Sequence, residues 1–193
     1  MAEDARFAHL VSLACHDLRT PLATVHGFAR TLARVELSDP APRYVEMIEA
    51  ASSQLDELLD ELSLVARIEA GRFEPALVEA DSLALAQAAA AELGEGVRVS
   101  GGGATVTVDP DRTRRALRQL ARAARRHGGL ESVDVTVQGA ELEITPITAS
   151  AAPVVTGAEL RELGAAAAVA LVEALGGSVG LEHDRLRIRL PVS

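Results

Sequence analysis

Cys15-His16-Asp17-Leu18-Arg19-Thr20-Pro21-Leu22 places an acid directly after a histidine, a hydroxyl one helical turn further on, and a proline after that. The residues on either side decide what this stretch is mounted on. Apolar or small residues recur at Phe7, Val11, Ala14, Leu18, Pro21, Val25, Phe28, Leu32 and Val35, in steps that alternate between four and three. That spacing is the seam of a long helix packed against other helices. With Val11, Leu18 and Val25 at heptad position a and Ala14 and Pro21 at d, His16 falls at f and points into water. His9 shares position f but is followed by Leu10, and reads as a surface residue.

The breaker cluster Ser38-Asp39-Pro40-Ala41-Pro42 offers a turn with a ready N-cap. A second apolar series then runs through Tyr44, Ile48, Ala51, Leu55, Leu58, Leu62 and Val65, with Gly71 as the C′ residue that ends it. Each helix is about 45 Å long at 1.5 Å per residue. A lone hairpin of that length leaves a wide apolar stripe uncovered, so a twofold dimer forming a four-helix bundle is expected.

Beyond Gly71 the texture changes to short alternating segments. Phe73 to Val78 reads as a strand, and Asp81 as the cap of an Ala/Leu-rich helix running to Leu93. Val97 to Val99 and Thr105 to Val108 read as strands around a flexible Gly101-Gly102-Gly103. Asp109-Pro110 opens an arginine-rich helix that ends near His127-Gly128-Gly129. Val133 to Val137 and Glu141 to Thr145 alternate like a hairpin around Gln138-Gly139. A loop from Pro146 to Thr156 leads to a helix stopped by Gly176-Gly177, and strands follow at Ser178 to Leu181 and Arg185 to Leu190. This order suggests a mixed sheet with helices on one face.

Composition bounds the chemistry. With 193 residues, 48% of them hydrophobic and only 2% aromatic, the chain can bury cores of Leu, Val and Ala, which suits close-packed helices better than an aromatic-lined ligand pocket. All 19 basic residues are arginine, and 28 acids leave a net charge of −9, which argues against nucleic acid as a partner. Cys15, at heptad e, is the single cysteine and reads as a small packing residue in a reducing compartment. Met1 to Leu10 lacks a secretory leader pattern, and no apolar run is long enough to cross a bilayer. A cytoplasmic protein with no membrane partner is expected.

His16 carries the chemistry. A solvent-exposed imidazole is partly uncharged at physiological pH, so one ring nitrogen can attack an electrophile. The neighbouring Asp17 carboxylate could accept a hydrogen bond from the other nitrogen, fix the tautomer and stabilise the cation formed on attack. Thr20, one turn along the same face, could orient a phosphoryl oxygen or a water. Pro21 has no N–H, so the Asp17 carbonyl loses its partner and the helix should bend, at a cost of about 3 kcal/mol. His26, His127 and His183 have no supporting constellation in the sequence.

His16-Asp17-Leu18-Arg19-Thr20-Pro21-Leu22 resembles the H-box of bacterial sensor histidine kinases. Leu58-Leu59-Asp60-Glu61-Leu62-Ser63-Leu64-Val65-Ala66-Arg67-Ile68-Glu69-Ala70-Gly71 resembles the end of their second dimerisation helix. The resemblance implies that His16 is the phosphoacceptor, Asp17 its acid/base partner and Thr20 the residue that assists dephosphorylation of a response regulator. Arg19, inside the motif, is carried with them as a catalytic-site candidate.

Residues 73–193 follow the order of that family's ATP-binding domain, but the expected nucleotide-holding residues do not appear. Arg118-Gln119-Leu120-Ala121-Arg122-Ala123-Ala124-Arg125-Arg126-His127 resembles the N-box helix, with Ala123 where the family has a magnesium-binding asparagine. A methyl group cannot ligate magnesium. Pro146-Ile147-Thr148-Ala149-Ser150 stands where an Asp-x-Gly-x-Gly motif should hold adenine, and Glu162-Leu163-Gly164-Ala165-Ala166-Ala167-Ala168 keeps one glycine of the second glycine box. The arginines at 112, 114, 115, 118, 122, 125 and 126 read as a solvated or docking face rather than a phosphate site.

The expected fold is therefore α plus α+β. Residues 1–72 form a dimerisation and phosphotransfer hairpin, and residues 73–193 a degenerate histidine-kinase-type ATPase sandwich. The expected function is that of a histidine phosphotransferase in a two-component phosphorelay, a pseudokinase that exchanges phosphoryl between His16 and receiver aspartates. No cofactor is expected on the chain itself, and magnesium would arrive with the receiver. Expected partners are a second copy, response-regulator receivers and an upstream hybrid kinase. Two alternatives stand beside this: a divergent histidine kinase that still uses ATP, and a non-enzymatic dimer that sequesters response regulators.

Overall fold

The structure, a computed structural model, describes residues 2–35 and 38–192, with first-helix side chains described at Val11 and from Cys15 onward. The readings at Phe7, His9 and Ala14 lie outside the described side chains. The chain divides into two compact units, Met1–Arg72 and Phe73–Ser193.

The first unit is a helical hairpin. α1 (Ala2–Leu32) runs through Pro21 as one helix, and α2 (Ala41–Glu69) follows a short turn. The ready N-cap at Ser38-Asp39 is not used as one. Pro40 occupies the N-cap position and no side chain caps α2, while the Ala41 N–H donates to the Ser38 carbonyl at 3.0 Å. A proline in the first turn removes a donor that would lack a helical partner anyway. At the other end Gly71 takes φ +64°, where a side chain would be strained. Its N–H donates to Ile68 and that of Arg72 to Arg67, both at 2.9 Å, the bond pair of a Schellman stop.

Small side chains hold the two helices together. On α1, Cys15 and Ala29 are buried and Leu22 half-buried, seven residues apart; on α2, Val45, Ser52 and Ala66 are buried and Leu59 half-buried, again at sevens. The Ser52 hydroxyl is satisfied by the Ile48 carbonyl at 2.7 Å. The series read from the sequence as the packing seam is on a different face: Leu18, Val25, Phe28 and Leu32 of α1 and Tyr44, Ile48, Leu55 and Leu58 of α2 are all exposed. An exposed apolar stripe that long marks an interaction surface.

The second unit runs β1 (Val78–Asp81), α3 (Ser82–Ala91), β2 (Val97–Gly103), β3 (Thr105–Val108), α4 (Pro110–Gly128), β4 (Val133–Gly139), β5 (Glu141–Thr145), α5 (Ala152–Val155), α6 (Leu163–Ala174), β6 (Ser178–Glu182) and β7 (Arg185–Arg189). The main sheet has the order β2-β4-β5-β7-β6, with β2 and β4 parallel and the remaining pairs antiparallel. β1 and β3 make a separate antiparallel pair. Two expectations are corrected here. The strand starts at Val78, not Phe73, because Pro75 has no donor for a ladder, and Phe73 instead lies under the Arg112 guanidinium, 5.7 Å from ring centre. Gly101-Gly102-Gly103 is strand rather than loop: Gly101, at φ +110°, lets the β4 backbone at Val137 approach so closely that a Cβ would collide with it.

Alternation along the strands sorts the sheet's two faces. Val133, Val135, Val137, Leu142, Ile144, Leu186 and Ile188 are buried in the core that α3, α4 and α6 pack on. The other face is polar and ion-paired. Arg98 donates to both Asp134 oxygens, at 2.6 and 3.1 Å, and Arg187 reaches Glu143, Glu141 and Glu182. The Arg98 hydrogen bonds hold the Asp134 carboxyl below its ordinary range, and the hydrogen bonds that Arg187 donates to Glu143 raise the arginine's pKa. Asp81 and Asp109 cap α3 and α4, accepting from the N–H groups of Ala84 at 2.8 Å and Arg112 at 3.2 Å.

Candidate functional site

His16 sits midway along α1 with 79% of its side chain exposed, and its Nδ1 lies 3.2 Å from Oδ1 of the exposed Asp17. When Nδ1 carries the ring proton it donates to that carboxylate, which leaves the Nε2 lone pair as the nucleophile. Thr20 is exposed one turn further on, and its carbonyl accepts from the Thr24 hydroxyl at 3.1 Å. Pro21 has no N–H to give the Asp17 carbonyl its usual helical hydrogen bond. The site is thus an open helix face rather than a pocket.

Two neighbours in sequence behave differently. Cys15 is 1% exposed, and burial pushes its thiol pKa up, which keeps it protonated and inert. Arg19 turns to the second helix, where its NH2 donates to Asp60 Oδ1 at 2.7 Å and its Nε lies 3.9 Å from Asp56 Oδ1. These α2 acids were missed in the sequence because they lie 41 and 37 residues away, and only the hairpin register reveals them. Among the described residues no group of three or more His, Cys, Asp or Glu is arranged to hold a metal.

In the second unit, the positions that the sequence resemblance assigns to a magnesium nucleotide have the following surroundings. Ala123 is fully buried and offers a methyl group. The segment at 146–150 is tied to its neighbours: the Ser150 hydroxyl donates to the His127 carbonyl at 2.8 Å, and the Ile147 N–H to the Asp184 carbonyl at 2.7 Å. Gly164 opens α6 with the Gln119 side chain packed where a Cβ would stand. His127, read as lacking a constellation, has a partner after all: its Nε2 is 2.7 Å from Glu162 Oε2, tying the end of α4 to the start of α6. His26 is half-buried, and His183 occupies a turn with φ 58°. No described helix is long and apolar enough to cross a membrane.

Residues 8–71 match the family of the His Kinase A (phospho-acceptor) domain. Over 71 residues the chain is 38% identical to the sensor histidine kinase TrcS of Mycobacterium tuberculosis, covering 35% of this chain and 14% of that protein. Over 64 residues it is 31% identical to the hybrid signal transduction histidine kinase L of Dictyostelium discoideum, covering 33% of this chain and 4% of that one. The matched segments are thus small parts of much longer relatives. Among solved structures, full-length ShkA in complex with AMPPNP superposes with a TM-score of 0.67 at 23% identity, covering 96% of this chain and 47% of that one. The Acinetobacter baumannii histidine kinase AdeS gives 0.59 at 16% identity, covering 92% and 98%. At those identities the likeness is one of fold.

Proposed function

We propose that this chain, a histidine kinase transmitter region by its matched phosphoacceptor domain and its fold, holds a phosphoryl group on His16 and exchanges it with the aspartate of a response-regulator receiver. The observation that carries this is the exposed imidazole with Nδ1 held 3.2 Å from Asp17 inside the matched segment. In loading from a receiver, the Nε2 lone pair attacks phosphorus, the bond from phosphorus to the aspartyl oxygen breaks, and the receiver carboxylate leaves with the electron pair. The Nδ1 proton stays hydrogen-bonded to Asp17, which stabilises the cationic phosphohistidine. Thr20 orients water or a phosphoryl oxygen when the phosphate is removed. Magnesium belongs with the receiver's oxygen ligands in this scheme.

The exposed stripe of Leu18, Val25, Phe28, Leu55 and Leu58 supports a dimer in which two hairpins close one four-helix bundle, each buried side chain contributing about 1.5–3 kcal/mol. Residues 1–72 are then the dimerisation and transfer domain, and residues 73–193 an ATPase-like domain.

Two sources could load His16, and each has an observation in its favour. The relatives matched over the hairpin are named histidine kinases, which favours loading from ATP by the second unit. Buried Ala123 and the 146–150 segment, tied to the end of α4 through Ser150, favour loading from a phosphorylated receiver, with the second unit as a docking surface. Incubating the full chain with γ-labelled ATP and magnesium, without any receiver, separates them. Label on His16 assigns a histidine kinase; no label there, with transfer from a phosphorylated receiver, assigns a phosphotransferase.

A further inference from the structure

Arg19 is one turn from His16 on α1, a spacing that puts Cβ atoms about 5–6 Å apart. Its guanidinium nevertheless turns to α2, 2.7 Å from Asp60 and 3.9 Å from Asp56. Asp56 and Asp60 are themselves one turn apart, so one cation serves two carboxylates on the same face. Asp17 adds a third carboxylate next to His16. Arg19, Asp56 and Asp60 keep 42%, 58% and 46% of their side chains exposed, and ion pairs that open to water contribute little to holding helices together. Their charge matters more. A phosphoryl group brings close to two negative charges. Carboxylates within a Debye length of about 8 Å oppose its approach.

We infer that Arg19 is a positioning residue for phosphoryl transfer: one turn along α1 from His16, it draws the Asp56 and Asp60 carboxylates onto itself and cancels their charge. It makes no bond to phosphorus, and acts through the two acids. This rests on His16 being the phosphoacceptor, and it explains why a cation inside the motif pairs with acids of α2.

The test follows transfer of label to the full chain from a receiver domain loaded with labelled acetyl phosphate and freed of excess reagent. Arg19→Ala should slow labelling of His16 about tenfold at low salt, with the gap closing as salt screens the acids. Arg19→Ala combined with Asp56→Asn and Asp60→Asn should recover to within about threefold of the parent rate, because the charge to be cancelled is gone. Circular dichroism and sedimentation confirm that the variants stay folded with the parent's oligomeric state. A parent-like rate for Arg19→Ala, or a triple variant as slow as the single one, would overturn the inference and leave Arg19 as a mechanical link between helices. Failure of the parent itself to take label on His16 from either the receiver or ATP removes the phosphoacceptor reading and this inference with it.

Discussion

The hairpin and the sheet unit treat apolar side chains in opposite ways. In the hairpin the small residues Cys15, Ala29, Val45 and Ser52 are buried, while Phe28, Leu55 and Leu18 stay exposed. In the sheet unit the large residues Leu120, Leu142, Ile144, Leu171 and Ile188 are fully buried, and the open sheet face is covered by arginine–carboxylate pairs. One unit closes its core within a single chain; the other keeps an apolar stripe exposed. The polar chemistry follows the same division. His16, Asp17 and Thr20 stand in water on the hairpin, whereas the position in the sheet unit that the sequence resemblance assigns to a metal ligand is a buried methyl at Ala123.

The largest expected effect breaks this contrast at the exposed stripe. Leu55→Glu removes two apolar side chains per twofold dimer and sets charges in the seam. It should weaken dimerisation by at least about 3–6 kcal/mol from lost burial alone, read by sedimentation equilibrium as a monomer at micromolar concentration. Leu160→Glu, at an 83% exposed position of the sheet unit, should leave the oligomeric state unchanged. Equal behaviour of the two variants would remove the distinction.

A smaller effect sharpens the contrast from the other side. Ala123→Asn restores the side-chain type the resemblance expects, but at a position with no exposure. Burying the amide there should cost about 1–3 kcal/mol of stability by urea unfolding, without producing magnesium-dependent ATP binding by calorimetry. Tight ATP binding by this variant would mean that the sheet unit is one side chain from a working nucleotide site.

Most of the fold was legible because local rules act alone in it. Asp81 and Asp109 announce their helices by capping chemistry, Gly71 announces its stop, and the β4–β5 hairpin shows plain alternation. Legibility failed where two distant segments decide the outcome. Gly101 looks flexible until Val137 arrives beside it, and Pro75 moves the first strand by its missing donor. The heptad series identified real apolar helix faces but not which helix covers them, since Cys15 and Ala29 use smallness rather than bulk to meet α2. At the site, the His16–Asp17 pair is adjacent in sequence and could be read directly. The links from Arg19 to Asp56 and Asp60, and from His127 to Glu162, needed the folded chain.

The most direct measurement of the central claim is transfer from an acetyl-phosphate-labelled receiver to the full chain, without ATP, followed by mapping of the labelled residue. Acid-labile label on His16, absent from a His16→Gln variant that remains folded, is the predicted result. Labelling of the His16→Gln chain at the parent's rate would contradict it.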